Sequence, residues 1–455
     1  MKKTFLITDF GAVADKDTLQ TEKIQKAIDA CFLEGGGEVI IPEGTFITGA
    51  IRLRSNVTLH LLKNACLKGS RNPEDYYSSY INDKLEPIPE EWITDCLWNR
   101  FGPDWTRDYR FMRLPGSRWN HGLIKAISAE NIAIIGEEGS IIDGSDCFDE
   151  KGEEEYRGPH LINMWYCKNV SFSGYTAKDS ANWAHCITYS ENISMKNVTV
   201  LAGHDGIHTT ICSNIIVEDS EFYTGDDCIA GIGNLNVLVK NCILNSACSA
   251  FRFGGTNALI ENCHMYGPCK YLFRGCLTED EKRNGIKPDV KGHRNNMLSA
   301  FTYYSDFSFD IPYTPGNIII KNCNIDYADR FLHFNFSGNE PWQRNRPLTS
   351  ITFENIKATD ISMPLTAYGS PEDKIDLVLK NVSISMREGS EEAPLFHVGN
   401  FKKLTLESLT VTNTKAPCLI RTWTDDAVEL TNINAPINEE DMVKKAEVAF
   451  SARPI

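Results

Sequence analysis

The sequence predicts an all-β fold, a single-stranded right-handed parallel β-helix with a helical cap at its N-terminal end. Three observations predict it. A unit beginning with Asn recurs about every 22 residues. The segments inside each unit are short, rich in β-branched residues and separated by Gly, Asn and Asp. One amphipathic helical stretch near the start ends at Gly35-Gly36-Gly37.

The repeat is read in Asn169-Val170-Ser171-Phe172, Asn192-Ile193-Ser194-Met195-Lys196-Asn197-Val198 and Asn214-Ile215-Ile216-Val217-Glu218-Asp219. It continues in Asn236-Val237-Leu238-Val239-Lys240-Asn241-Cys242 and Asn257-Ala258-Leu259-Ile260-Glu261-Asn262-Cys263, so first positions step by 21–23 residues. Later copies begin at Asn317, Ser350 and Leu377, and an earlier one at Asn131. A fixed period of this length marks a solenoid. Short β-branched segments make its elements strands. One coil cannot bury its own apolar face, and stacked coils can. The repeated Asn then stacks at turns, where its side chain can bond neighbouring backbone. Cys242, Cys263 and Cys323 share one repeat position and read as a column of small buried side chains. No pair has zinc-site spacing.

The cap is predicted over 18–32, with Leu19, Ile24, Ala27, Ile28 and Cys31 on one face. The whole of 1–455 reads as one β-helix domain. Two insertions interrupt the period, at about 70–120 and 277–297. The first carries Trp92, Trp98, Trp105 and Trp119, expected to wall off one end of a groove. The second carries Lys282, Arg283, Lys287, Lys291, His293 and Arg294. Insertions in repeat proteins map to loops, often on the binding face.

Composition narrows the function. The formal net charge of -15 argues against nucleic acid and anionic membrane as partners. Fifteen cysteines without C-x-x-C pairs read as free thiols in a reducing compartment. The short apolar run after Lys2-Lys3 is not a signal peptide, and no run spans a membrane, so a cytoplasmic location is expected. Oligomeric state is not readable.

Two coils carry unusual polar runs, Gly203-His204-Asp205-Gly206-Ile207-His208 and Thr224-Gly225-Asp226-Asp227-Cys228. Asp205 and Asp226 are one repeat apart, which predicts neighbouring strands about 4.8 Å apart. Three gathered carboxylates split their pKa values into an acid and a base. Glycosidic hydrolysis needs that pair: one carboxyl to protonate the leaving oxygen, another to activate water or attack carbon. Solvated turn residues and a calcium site are the competing readings. The hydrolytic reading calls for no metal and no cofactor.

At these residues the chain resembles glycoside hydrolase family 28, the polygalacturonase family of pectin-degrading β-helices. Asp9-Phe10-Gly11-Ala12, Gly36-Gly37-Glu38-Val39-Ile40-Ile41-Pro42, Ile142-Asp143-Gly144 and Asp179-Ser180-Ala181-Asn182-Trp183 carry the resemblance along the chain. The family's Asn-Thr-Asp-Gly motif is matched by Gly203-His204-Asp205-Gly206, and its Gly-Asp-Asp motif stands at Gly225-Asp226-Asp227. The resemblance implies inverting hydrolysis of pectin-derived oligosaccharides. Asp226 is then the general acid, and Asp205 and Asp227 hold and activate water. The family's Gly-His-Gly is replaced by Ser246-Ala247-Cys248-Ser249. Its Arg-x-Lys finds only Arg274-Gly275-Cys276.

Further candidates surround the aspartates. His204 and His208 flank Asp205 and can tune it, and His185 lies one coil earlier. Arg252 and Arg274, 22 residues apart, are expected to stack as a fork for a substrate carboxylate. Tyr303, Tyr304 and Trp342 are candidates for stacking on sugar faces. The alternatives are a β-helix polysaccharide lyase acting on uronides and a non-catalytic carbohydrate-binding solenoid.

Overall fold

The computed structural model describes residues 3–77, 83–87, 112, 118–286, 295–306, 310–336, 341–343 and 345–446. It is a parallel β-helix, in two compact units. The first comprises Met1–Asp226, Tyr271–His293 and Ser308–Asp310, the second Asp227–Lys270, Arg294–Phe307 and Ile311–Ile455.

In the first unit each coil contributes one strand to each of three parallel columns. One column runs Thr4–Leu6, Gly37–Ile41, Val57–Leu61, Glu130–Gly136, Lys168–Ser173, Glu191–Lys196 and Ser213–Glu218. Its register stacks Val39, Leu59, Ile134, Phe172, Met195 and Val217 into one buried file. Burying each such side chain contributes about 1.5–3 kcal/mol, so the file anchors the register. The column that positions the candidate site runs Ile51–Arg52, Gly122–Ile127, His160–Trp165, His185–Thr188 and Ile207–Thr210. The second unit repeats the plan with longer strands such as Ser249–Glu261 and Ser350–Ile361. Its interior file is Val239, Ile260, Ile320, Phe353, Leu379 and Leu406.

The repeated Asn residues turn each coil. Asn56, Asn131, Asn169, Asn192 and Asn214 all have φ between 56° and 62°, the left-handed region that Asn tolerates better than most side chains. From Asn131 to Asn214 each Nδ2 donates to Oδ1 of the Asn one coil earlier, at 2.8–3.0 Å. The ladder recurs in the second unit as Asn236, Asn257 and Asn317, and as Asn322, Asn355 and Asn381. The side chains thus bond one another rather than backbone. Cys242, Cys263 and Cys323 form the expected buried column, each Sγ donating to the carbonyl two residues back. The fourteen described cysteines are all free.

The cap helix spans Thr21–Leu33 and buries Ile24, Ala27, Ile28 and Cys31. The expected start at 18 is corrected. Asp15–Leu19 is a strand against Gly44–Thr48, and Leu19 is exposed. Gly35 and Gly36 end the helix with positive φ, their amides donating to Phe32 and Cys31 carbonyls. Trp92, Trp98 and Trp105, and Lys287, Lys291, His293 and Arg294, lie outside the described residues. Trp119 is buried. Lys282 and Arg283 sit on the short helix Glu279–Arg283, which Thr278 and Glu281 cap. Among the described residues no helix is long and apolar enough to cross a membrane.

Candidate active site

Asp205 sits at the bend that opens the strand Ile207–Thr210. Ile207 pairs with His185 one coil earlier and faces the interior, so His208 points the other way. His208 Nδ1–H donates to Asp205 Oδ2 at 2.9 Å, with both side chains almost fully buried. The Trp183 indole lies flat against the imidazole, centroids 3.7 Å apart and planes 8° from parallel. Trp119 meets Trp183 edge-on at 5.2 Å, and Ala184 N–H donates to the Asp205 carbonyl at 2.9 Å. An aromatic wall therefore fixes the histidine, and the histidine fixes the carboxylate. Thr224 Oγ1 donates to the backbone carbonyl of Asp226, whose side chain is half-buried.

His204, next to Asp205, lines a cavity of about 360 Å³ with Asp146, Arg157, Phe273, Arg274 and Lys282. Three ion pairs stand around it: Arg274–Asp146 at 3.1 Å, Arg157–Glu154 at 3.2 Å and Lys282–Glu155 at 3.1 Å. Burial, then the guanidiniums of Arg157 and Arg274, hold the His204 imidazole well below its ordinary pKa, so it is neutral. Its Nδ1 is buried without a hydrogen-bond partner. Gly203 is required here, because a Cβ would collide with the Arg274 side chain.

In the second unit Asp227 is fully buried. It accepts the Ser249 backbone N–H at 3.0 Å, and Arg252 Nη1 stands 3.9 Å from its other oxygen. The Arg252 guanidinium lies 4.3 Å over the Tyr304 ring and 5.2 Å from the Trp342 ring centre. Aromatic faces thus orient the cation beside the carboxylate. Cys248 N–H donates to Ser246 Oγ at 2.7 Å.

Three sequence expectations are corrected. Arg252 and Arg274 are not stacked neighbours. Arg252 pairs with Thr302, while Arg274 sits in the 3-10 turn Arg274–Cys276 of an excursion from the coil. A period of 22 cannot distinguish a coil from an insertion of similar length. His185 faces the core. Its Nε2 bonds Tyr175 Oη at 2.8 Å and its Nδ1 bonds the Gly206 carbonyl at 3.0 Å. Burial drops its pKa from 6.5 to about 4. Tyr303 also faces inward, its hydroxyl donating to Arg346 O at 2.7 Å, and Tyr304 takes the outward place. Strand alternation decides both cases. Residue reading missed Trp183, Arg157, Asp146 and Lys282 as neighbours of the site. The 22-residue step from Trp183 to Asp205 was the available signal for the first.

The family model described as "Glycosyl hydrolases family 28" matches residues 113–248. That stretch holds Asp205, Asp226 and Asp227 and stops at Cys248. Over this stretch the chain is similar to glycoside hydrolase family 28. The chain is 28% identical over 235 residues to a probable polygalacturonase of Vitis vinifera, covering 49% of the chain and 43% of the relative. It is 29% identical over 259 residues to an exo-poly-alpha-D-galacturonosidase of Dickeya chrysanthemi, covering 51% and 42%. The chain therefore spans less than half the length of these two relatives. Among solved structures, an exopolygalacturonase from Thermotoga maritima matches with a TM-score of 0.63 at 19% identity, over 90% of this chain and 91% of that one. A family 28 exopolygalacturonase from Yersinia enterocolitica matches with a TM-score of 0.56 at 18% identity, over 100% and 80%. At such identity these two speak for the fold.

Proposed function

We propose that the chain is an inverting glycoside hydrolase that cleaves galacturonide bonds in pectin-derived oligosaccharides. Asp226 is the general acid, and Asp205 and Asp227 hold and activate the water. The observation that carries this reading is the intact Gly225-Asp226-Asp227 motif inside the segment matched to family 28, with Asp205 one repeat earlier. Polygalacturonase names among the relatives support the substrate class.

In the reaction Asp226 gives its proton to the leaving glycosidic oxygen. Water attacks the anomeric carbon from the opposite face and yields its proton to the carboxylate base, inverting the configuration. His208 keeps Asp205 in one orientation and favours its ionised form, because its N–H is spent on the carboxylate. The buried Asp227 is held by the Ser249 amide, and Arg252 offers a cation for a sugar carboxylate. That arginine stands in for the charge of the family's Arg-x-Lys.

The test is Asp226→Asn on tri- and polygalacturonate, reading new reducing ends and ultraviolet absorbance together. The parent is expected to release reducing ends without unsaturated product. The variant is expected to lose about 10²–10⁴-fold in rate, the span of general acid catalysis. A variant within about tenfold of the parent removes Asp226 from the acid role.

A further inference from the structure

The cavity beside His204 lies wholly in the first unit, and the catalytic reading leaves it unused. At about 360 Å³ it falls in the roughly 300–1,000 Å³ range of small-molecule sites. Two buried nitrogens in its wall make no hydrogen bond. One is His204 Nδ1, and the other is Arg274 Nη1, which lies 3.1 Å from Asp146 without bonding it. The charges of the wall cancel. Asp146, Glu154 and Glu155 are its three acids, and Arg274, Arg157 and Lys282 are its three cations, each paired with one acid. Two of the acids are brought there against the preference of the backbone. Glu154, Glu155 and Tyr156 have φ of 46°, 65° and 69°, three consecutive side-chain-bearing residues in the left-handed region. Tyr156 stacks on Phe148 at 5.4 Å, and Arg283 pairs with Glu150, so the segment is pinned to the helix Glu279–Arg283. Strain held in this way clusters at functional sites.

Charge balance selects the ligand. A carboxylate entering the cavity meets three acids, and each cation of the wall already has an acid beside it. The His204 imidazole, kept neutral by burial and then by its cationic neighbours, holds one donor and one acceptor nitrogen. A carboxylate only accepts. A hydroxyl does both, and it can also accept from Arg274 Nη1 or donate to the acids. The Phe273 ring, edge-on to His204 at 5.9 Å, adds an apolar wall for sugar C–H groups. We propose that this cavity is a subsite for one neutral sugar unit, with His204 and Arg274 as the residues that select its hydroxyls. The preferred oligosaccharide then carries an uncharged sugar beside its galacturonides, a substrate class that rests on the hydrolase reading.

NMR titration of the full chain with the methyl α-glycosides of D-galactose, D-xylose, L-rhamnose and D-galacturonic acid tests it. The galactoside and the galacturonide differ only in a primary alcohol against a carboxylate. At least one neutral glycoside is expected to bind with a Kd of about 1 mM. It is expected to lose about tenfold in His204→Phe, which keeps a ring but no hydrogen-bonding nitrogen. Any binding of the galacturonide is expected to be unchanged in that variant. Glu155→Gln, at an exposed side chain, leaves Lys282 without its acid. It is expected to tighten the galacturonide several-fold at low ionic strength and to leave the neutral glycoside as it was. The subsite is overturned if no neutral glycoside binds, or if His204→Phe leaves neutral binding intact or weakens the galacturonide as much. An unchanged galacturonide affinity in Glu155→Gln overturns it too, whether or not the His204 variant folds. Reducing ends from trigalacturonate and from a mixed pectin digest are read separately. Cleavage of either without His204-dependent sugar binding removes the subsite alone. His204-dependent binding with cleavage of neither removes the hydrolase reading alone.

Discussion

Asp205 and Asp227 are both buried carboxylates, yet they are held by different kinds of partner. Asp205 in the first unit rests on a side chain, His208, which itself rests on the Trp183 ring. Asp227 in the second unit rests on a backbone amide, that of Ser249, with Arg252 at 3.9 Å. A side-chain hold is exposed to mutation and to protonation, whereas an amide hold persists whatever side chain occupies 249. The two regions therefore predict opposite sensitivities.

Within this contrast the largest effect is expected at His208. A hydrogen bond to a charged group is worth about 1.5–3 kcal/mol, so His208→Ala should lower kcat by about 10–100-fold. Ser249→Ala should stay within about twofold, because the amide remains. His208→Gln, which can still donate to Asp205, should recover part of the loss. Equal losses in His208→Ala and Ser249→Ala would break the distinction. Trp183→Leu should resemble a mild His208 variant, since it loosens the ring without removing the donor.

The next contrast is between two histidines of the first unit. His208 serves a carboxylate, and His185 is closed in the core with a pKa dropped from 6.5 to about 4. The folded state thus refuses a proton that the unfolded chain accepts below about 6.5. Stability is full above that pH and falls as pH drops toward 4, by roughly 3 kcal/mol in all from this group. Urea unfolding at pH 7.5 and pH 4.5 measures the slope. His185→Gln should flatten it relative to the parent while lowering stability at pH 7.5. An unchanged slope would remove His185 from the acid-sensitive groups.

The coil was legible in the sequence because stacking forces a repeat. Asn at 169, 192 and 214 must recur when every coil turns through the same left-handed backbone. The aspartates were legible because they lie on those same steps. What stayed hidden obeys no period. Arg274 reaches the Gly203 bend from an excursion, and Asp146 meets it from another loop. His185 and Tyr303 were misjudged because a strand has two faces. The choice between 303 and 304 depends on a register that the polar pattern around them does not reveal.

A smaller effect separates binding from catalysis. Arg252 lies over Tyr304 and beside Asp227, so Arg252→Ala removes a candidate carboxylate ligand and a neighbouring charge. Steady-state kinetics on trigalacturonate should show KM raised about tenfold with kcat changed less, the signature of lost ground-state binding. A fall in kcat with KM unchanged would instead place Arg252 on the reacting groups. Arg252→Lys should rescue little, because an ammonium lacks the planar fork and stacks poorly on the rings.

The smallest effect tests the scaffold that both regions share. Asn192 donates to Asn169 and accepts from Asn214 at the exposed turn, with φ at 57°. Two energies are combined there: side-chain hydrogen bonds worth about 1 kcal/mol each, and a left-handed backbone that costs an ordinary residue about 1–2 kcal/mol. Asn192→Ala loses both and should destabilise by about 3–4 kcal/mol. Asn192→Gly loses the bonds alone and should cost about half as much, since glycine accepts this φ. The difference between the two variants in urea midpoint isolates the backbone term. If Gly and Ala cost the same, the ladder bonds rather than the turn conformation select Asn at each coil. Neither variant should alter kcat, because the turn stabilises the stack without touching Asp205 or Asp227.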